Sequence, residues 1–109
     1  MKFKNWLKDA VKYRTDDYNA LLPELKLQDG TELSIQASEF HMCYPKMKLD
    51  NGDYYTVEVY THGVEIKELL ENYLSDPFDK YIYGNVDVDF MDKLCELHGG
   101  IVELKKEEI

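Results

Sequence analysis

Residues 25 to 37 constrain the fold of this chain more than any other stretch. Apolar residues alternate with polar ones here, which is the two-residue period of a β-strand with one buried face. The alternating apolar positions are Leu25, Leu27, Leu33, Ile35 and Ala37. Asp29-Gly30 interrupts the alternation, and Asp-Gly is a preferred hairpin turn because both of its positions accept a positive φ. The stretch therefore predicts an antiparallel hairpin in a sheet that is covered on one face.

A second hairpin is predicted around Asn51-Gly52, another favoured turn pair. The apolar residues that flank this pair at alternating positions are Met47, Leu49, Tyr55, Val57 and Val59. Two shorter segments, 81–84 and 101–104, have the composition of extended chain. Together with the first hairpin, these segments predict an antiparallel sheet of four to five strands.

Three segments have the period of amphipathic helices. One covers the first dozen residues, one follows the second hairpin, and the last begins at Asp87, a good N-cap residue, and ends at Gly99-Gly100. The apolar positions of the second and third helices are Ile66, Leu69, Leu70, Tyr73, Leu74, Phe90, Met91, Leu94 and Leu97. The prediction is an α+β fold, a single domain over residues 1–109, with N-terminal and C-terminal helices packed on the sheet.

The charge balance limits the classes of partner. The chain has 13 Lys and Arg against 22 Asp and Glu, a net charge of -9. A long nucleic acid is excluded as a general ligand, since neutralising its phosphates requires a basic surface. Plain solubility, a basic protein partner and mimicry of a polyanion stay open. One local exception is a stripe on the polar face of the first helix, formed by Lys4, Lys8 and Lys12.

The location is expected to be a cytoplasm. No apolar run reaches the length of a membrane span, and the N-terminus lacks the apolar core of a secretion signal. Cys43 and Cys95 lie far apart in the chain without CxxC spacing, so we predict two free thiols in a reducing compartment.

No motif for catalysis or for metal binding is present. His41 and Cys43 lie two residues apart, so a strand would direct both to one side. An activated thiolate also needs an electropositive setting, which this chain scarcely offers. The three histidines, among them His62 and His98, lack the close spacing of metal ligands. We predict a protein that is not an enzyme and has no catalytic residues, no metal and no cofactor.

The exit from the first hairpin is rich in side chains that recognise ligands. Phe40, His41, Tyr44 and Lys46 follow one another closely before the chain enters its second predicted hairpin. Aromatic rings stack on bases or form protein interfaces, although many of the nine tyrosines are expected in the core and at its rim. Rings beside a lysine on an acidic protein suit a small phosphorylated ligand better than a long nucleic acid.

Several short motifs occur in a specific order along the chain. They are the Asp-Gly hairpin, Ser34-Ile35-Gln36-Ala37-Ser38, the aromatic-His-x-Cys-x-Pro-basic exit from Phe40 to Lys46, Tyr55-Thr56-Val57-Glu58-Val59, Ile82-Tyr83-Gly84-x-Val86-x-Val88 and His98-Gly99-Gly100-Ile101. In this order they resemble the small phage proteins typified by the first described Thoeris anti-defence sponge. The resemblance spans residues 22 to 102.

This resemblance implies a non-enzymatic viral protein that acts in the host bacterial cytoplasm. Members of the family assemble as dimers or higher oligomers, with a ligand pocket between subunits. They sequester the cyclic ADP-ribose-type signal made by a bacterial TIR-domain enzyme, and some bind the cyclic oligonucleotides of CBASS. Carried onto this chain, the resemblance implies ligand-binding roles for Phe40, His41, Tyr44, Lys46 and Tyr83. Tyr60 is added to these candidates because it is one of the tyrosines around the predicted strand ends, whose rings could stack on a ligand.

The chain departs from the family pattern at three places. Lys46 stands where the family carries arginine, and a lysine offers a point charge rather than a bidentate fork. The stretch 60–63 replaces a small-aromatic-Pro-Ser sequence, and Asp87 replaces a proline. The resemblance thus implies the fold more directly than the ligand.

Two other functions stay open. An acidic phage inhibitor would bind a defence protein such as a CRISPR nuclease, through a protein interface or by mimicking nucleic acid, and its association would be salt-sensitive. A small structural or scaffolding phage protein would bind neither a nucleotide nor a nuclease.

Overall fold

A four-stranded antiparallel sheet forms the centre of the fold. The computed structural model describes residues 1–105. Its strands are β1 (Leu25–Lys26), β2 (Glu32–Gln36), β3 (Thr56–Tyr60) and β4 (Ile82–Asp87), and they lie side by side in chain order. Each strand pairs antiparallel with the next. The predicted α+β class and antiparallel sheet are therefore confirmed.

Three helices accompany the sheet within the described residues. The first, α1, spans Phe3–Ala10 and continues as a 3-10 turn over Val11–Tyr13, α2 spans Lys67–Asn72, and α3 spans Val88–Leu97. The helices α1 and α3 pack against each other and cover one face of the sheet. The Phe3 N–H donates to the Asp92 carboxylate of α3 at 2.9 Å. A side chain of the last helix thus accepts a backbone hydrogen bond at the N-terminus of the first helix.

The core lies between the sheet and the two longer helices. Ile35 pairs with Val59 and Val57 pairs with Val86, which places their side chains on the covered face. Each large apolar side chain buried in this way contributes about 1.5–3 kcal/mol. The largest fully buried side chains are Trp6, Phe3, Leu7, Leu25, Leu33, Ile35, Leu69, Met91, Leu94, Val57, Val59 and Val86.

The first predicted hairpin is present. Leu25 lies opposite Leu33 in the register of β1 and β2. Gly30 has a φ of +93°, which L side chains rarely adopt and which explains the glycine at the turn. The Asp29 carboxylate accepts a hydrogen bond from the Thr31 N–H at 2.9 Å and fixes the turn from within.

The second predicted hairpin is wrong. No strand forms over residues 47–55, and β3 begins only at Thr56. β3 pairs with β2 on one side and β4 on the other, and its first residue, Thr56, is bridged by Tyr44, so residues 47–49 do not pair with β3. The alternation is also out of phase, because Tyr54 is 5 % exposed and Tyr55 is 71 % exposed.

Other sequence expectations are corrected at the helices and at the end of the described chain. Leu70, Leu74 and Leu97, predicted on buried helix faces, are exposed. Asp87 does precede α3 as its N-cap residue, but its side chain makes no capping hydrogen bond. The segment 101–104, proposed as an edge strand, forms a single antiparallel bridge between Ile101 and Leu27.

Candidate functional site

One cavity is a groove between α1, the loop before β3, the end of α2 and the start of α3. Its volume is about 960 Å³, which lies in the range of small-molecule sites. Lys4 and Lys8 of α1 and Lys93 of α3 line it together with the Tyr55, Tyr73 and Phe90 rings. The groove therefore combines cationic groups with aromatic surfaces.

The spacing of residues on α1 and the turn into α3 explain this arrangement. Lys4 and Lys8 are one helical turn apart, so they share the face of α1 that points away from the buried Phe3 and Trp6. At the other wall, the Val88 N–H donates to the Tyr55 carbonyl at 3.0 Å. This bond holds the loop against the start of α3.

The aromatic part of the groove is ordered by direct contacts. The Tyr73 and Phe90 rings meet edge to face, with 5.0 Å between centroids. The Tyr73 hydroxyl donates to the Asp87 carboxylate at 2.8 Å and accepts the Asp87 N–H at 3.1 Å. Burial raises the pKa of Tyr73, with the Asp87 carboxylate acting in the same direction through its charge, so the hydroxyl keeps its proton at neutral pH.

Three aspartates also line the groove, and two of them have partners. Asp53 lies 3.8 Å from the Lys8 ammonium, and Asp87 holds the Tyr73 hydroxyl. Asp89 stands in the first turn of α3, where a carboxylate complements the helix dipole. The groove is thus mixed in charge rather than acidic like the chain as a whole.

A second cavity, of about 660 Å³, lies beside the β1–β2 turn. Glu24, Asp29 and Glu32 line it, together with His62. The His62 ring is 2.7 Å from the Glu24 carboxylate. This set of carboxylates disfavours a phosphorylated ligand, so the groove is the better candidate site.

The six residues predicted to bind a ligand do not converge on either cavity. Tyr44 bridges to Thr56, the first residue of β3, and Tyr60 is the last residue of that strand. The two tyrosines are therefore separated by about 13 Å along the strand. Tyr44 does lie beside a groove residue, because its ring centroid is 5.9 Å from that of Tyr55.

The other predicted residues have separate surroundings. Phe40 packs on Tyr18 with 4.5 Å between ring centroids. Tyr60 meets the His62 ring edge to face at 4.9 Å. Lys46 is exposed, whereas Tyr83 is buried at 2 % exposure and belongs to the core.

The strand exit around His41 is organised by one buried hydroxyl. Ser38 accepts the Phe40 N–H at 3.1 Å and lies 2.7 Å from Nδ1 of His41. Burial lowers the pKa of His41, partly offset by the charge of Glu58. The imidazole is therefore held by Ser38, in a setting that favours its neutral form.

Neither thiol has the surroundings of a nucleophile. Cys43 donates to the Ser38 carbonyl at 3.3 Å and is buried. Burial raises the pKa of Cys43, and it raises the pKa of Cys95 to about 12. Both groups are thus protonated thiols at neutral pH.

No family model, curated protein or solved structure matches this chain. The resemblance to the Thoeris anti-defence sponges therefore stays a prediction, and so do the ligand and the oligomeric assembly that it implies.

None of the helices within residues 1–105 has the length and apolar content needed to cross a bilayer. Across the same residues, no group of three or more His, Cys, Asp or Glu side chains is arranged to hold a metal ion.

The sequence pointed to one part of the groove and missed the rest. The lysine stripe on the first helix was visible from its spacing, and it supplies Lys4 and Lys8. Nothing in the sequence placed Lys93 or Phe90 at this site, although Phe90 was predicted on the apolar face of the last helix, because only the packing of α3 beside α1 brings them to the same cavity.

Proposed function

We propose that this protein binds and sequesters a nucleotide immune signal without altering it. The signal is of the cyclic ADP-ribose type or a cyclic oligonucleotide, and the protein is a viral anti-defence factor of the host bacterial cytoplasm. The motif order along the chain supports this function, and the groove supports it independently. The observation that carries it is that Lys4, Lys8 and Lys93 line the same cavity of about 960 Å³ as aromatic residues such as Tyr55, Tyr73 and Phe90.

The chemistry of the groove suits such a ligand. A nucleotide offers flat bases, which stack on rings such as Tyr55 and Phe90, and phosphates, which attract ammonium groups. Tyr55 is exposed and available for stacking. Asp53 already pairs with Lys8, and Asp87 accepts a hydrogen bond from the Tyr73 hydroxyl. A phosphate at Lys8 would therefore replace Asp53 as its partner, and Lys4 and Lys93 offer further ammonium groups.

Sequestration rather than turnover is supported by the thiols. Both cysteines are buried with raised pKa values, which disfavours nucleophilic attack on the ligand. A sequestered ligand is then expected to leave the protein chemically unchanged.

The test is a thermal melt of the purified protein with a panel of cyclic ADP-ribose isomers and cyclic di- and trinucleotides. A ligand at a hundredfold excess over its Kd is expected to raise the Tm by roughly 10 °C. Mass spectrometry of the supernatant after heating is expected to recover the ligand intact. If no member of the panel shifts the melt well above micromolar concentration, the proposed function is wrong.

Three lysine variants locate the binding surface. Lys8→Ala and Lys93→Ala are each expected to weaken binding about tenfold, through the loss of one charged contact to phosphate. Lys46→Ala is the matched control, because this lysine is also exposed but lies on the strand exit rather than in the groove. Loss of binding in Lys46→Ala alone would support sequestration at the strand exit and overturn the assignment to the groove.

A second candidate function is supported by exposed apolar side chains. Leu74 and Phe78 are 95 % and 97 % exposed, and Leu70 on α2 is also exposed. Apolar groups in such positions favour an interface with another protein. They suit an inhibitor that binds a defence protein, and they also suit the homo-oligomer that the resemblance implies. Salt-sensitive association with a purified nuclease, without any ligand shift, would favour the inhibitor.

A further inference from the structure

His98 joins three separate parts of the chain. It follows the last residue of α3, and its Nδ1 lies 2.6 Å from the Asp29 carboxylate in the β1–β2 turn. Its Nε2 lies within hydrogen-bond distance of the Glu68 carboxylate on α2. We call Asp29, Glu68 and His98 the His98 cluster. An imidazole between two carboxylates satisfies both only as the cation, because the neutral ring has one N–H to donate.

Within residues 1–105, few other contacts hold α2. Within this six-residue helix only Leu69 is buried, and Ile66 precedes it as a second apolar anchor. Beyond the C-terminal end of α2, Tyr73 is attached to Asp87 through its hydroxyl. A helix of this length is not stable by itself in water, so its position depends on these anchors and on Glu68.

The helix also forms part of the groove. Asn72 and Tyr73, at and just beyond the end of α2, line the cavity beside α3. Any movement of α2 away from the fold would therefore open one wall.

We propose that protonation of His98 controls whether α2 stays packed on the fold, and with it one wall of the groove. With the proton in place, the ring ties Glu68 of α2 to the end of α3 and to the β1–β2 turn. When the proton leaves, the ring keeps one N–H and can no longer donate to both carboxylates, so the link that runs through His98 between Glu68 of α2 and Asp29 of the β1–β2 turn is broken.

The surroundings of the ring agree with this assignment. Asp29 and Glu68 are the charged groups that act on His98 from the neighbouring elements. Thr31 adds a neutral contact, with its hydroxyl 3.3 Å from Nδ1. Elsewhere on α2, Lys67 pairs with Glu71 at 3.8 Å on the exposed side. Burial by itself lowers the pKa of His98, but the hydrogen bonds and charges of Glu68 and Asp29 outweigh it and raise the pKa above 6.5.

Hydrogen exchange of the α2 amides tests the proposal without any ligand, so the result is independent of what the groove binds. The useful amides are those of Leu70 and Tyr73, which donate to Ile66 and Leu69. After correction for intrinsic exchange, the opening constant of α2 is expected to rise about tenfold per pH unit between the pKa values of His98 in the open and closed states. Core amides of β3 should show no such change.

Variants separate the cluster from general effects of pH. His98→Gln is expected to remove the pH dependence of α2 protection. Glu68→Gln keeps the ring and its Asp29 partner, and it should move the loss of protection to lower pH. His62→Gln is the matched control, since His62 pairs with Glu24 in an exposed position outside α2, and it should behave as the unmodified protein.

The proposal is overturned if α2 protection stays constant while NMR shows the His98 ring losing its proton. It is also overturned if His98→Gln and the unmodified protein share the same pH dependence.

Discussion

Arg14, the only arginine of the chain, holds together segments that have no regular secondary structure. Its guanidinium donates to the carbonyls of Ala37 at 2.7 Å and of Leu49 at 3.3 Å, and to the Tyr54 hydroxyl at 2.8 Å. The Tyr54 hydroxyl in turn accepts the Leu49 N–H and donates to the Met47 carbonyl. Two side chains thus provide hydrogen bonds that a second hairpin would have made through its backbone.

Replacement of Arg14 tests this role at the residue scale. Arg14→Lys keeps the charge but loses the planar set of donors, and carbonyls near Leu49 lose partners. We expect the free energy of unfolding to fall by about 1–3 kcal/mol in urea titration. Lys67→Ala, at an exposed position on α2, is the control and should change it by less than about 0.5 kcal/mol. An equally small effect for Arg14→Lys would show that the loops are held by other contacts.

At the scale of elements, the loop before β3 packs directly on α1. Gly52 has a φ of +70°, and a Cβ at this position would lie 3.0 Å from the Cα of Lys8. The Asn51-Gly52 turn therefore exists, but it brings the loop against a helix rather than joining two strands. The same approach places Lys8 and Tyr55 in one groove.

Two glycine variants separate the strain of the backbone from the contact with α1. Gly30→Ala, in the hairpin turn with nothing within 4 Å of its new Cβ, should destabilise by about 1–2 kcal/mol through its positive φ alone. Gly52→Ala has the same conformational cost, and in addition its new Cβ would push the loop away from the backbone of α1. It should therefore lower the free energy of unfolding by about 1–3 kcal/mol more than Gly30→Ala does. Thermal or urea unfolding measures both. Equal losses would contradict a tight contact between the loop and α1.

At the scale of the whole molecule, two histidines give stability opposite dependences on pH. The pKa of His98 is raised from 6.5, so its contribution is complete below that value and is lost as the pH rises through the folded-state pKa. Burial lowers the pKa of His41 from 6.5, so its contribution is complete above that value and is lost as the pH falls through the folded-state pKa. The repulsion expected from a net charge of -9 acts on both variants alike.

Comparison of two variants separates these contributions. His98→Gln is expected to lower the free energy of unfolding more at about pH 6 than at about pH 9, because only the protonated ring binds both carboxylates. His41→Gln should show the reverse order: it should lower the free energy of unfolding more above about pH 6.5 than near pH 5. Urea unfolding across this range measures both profiles. Parallel profiles for the two variants would contradict the opposite shifts.

The local patterns of the sequence determined the first helix, the first hairpin, β3 and the last helix. Each of these elements depends on a short periodic pattern of apolar residues and on nearby turn residues. Examples of such turn residues are Gly30, Gly99 and Gly100, which all have a positive φ. These signals are complete within a dozen residues, so no knowledge of distant contacts was needed. The lysine stripe on α1 was visible for the same reason.

Only the tertiary structure decided the rest. β3 pairs with β2, with β4 and, at Thr56, with Tyr44 rather than with residues 47–49, although Asn51-Gly52 favours a hairpin locally. Phe90 and Lys93 line the groove because of how α3 packs. Tyr83 is buried in the core because of how β4 packs. Asp29, Glu68 and His98 meet across 69 positions of the chain. The periodicity of the sequence does not predict such long-range contacts, because they result from how whole elements pack and not from the spacing of neighbouring residues.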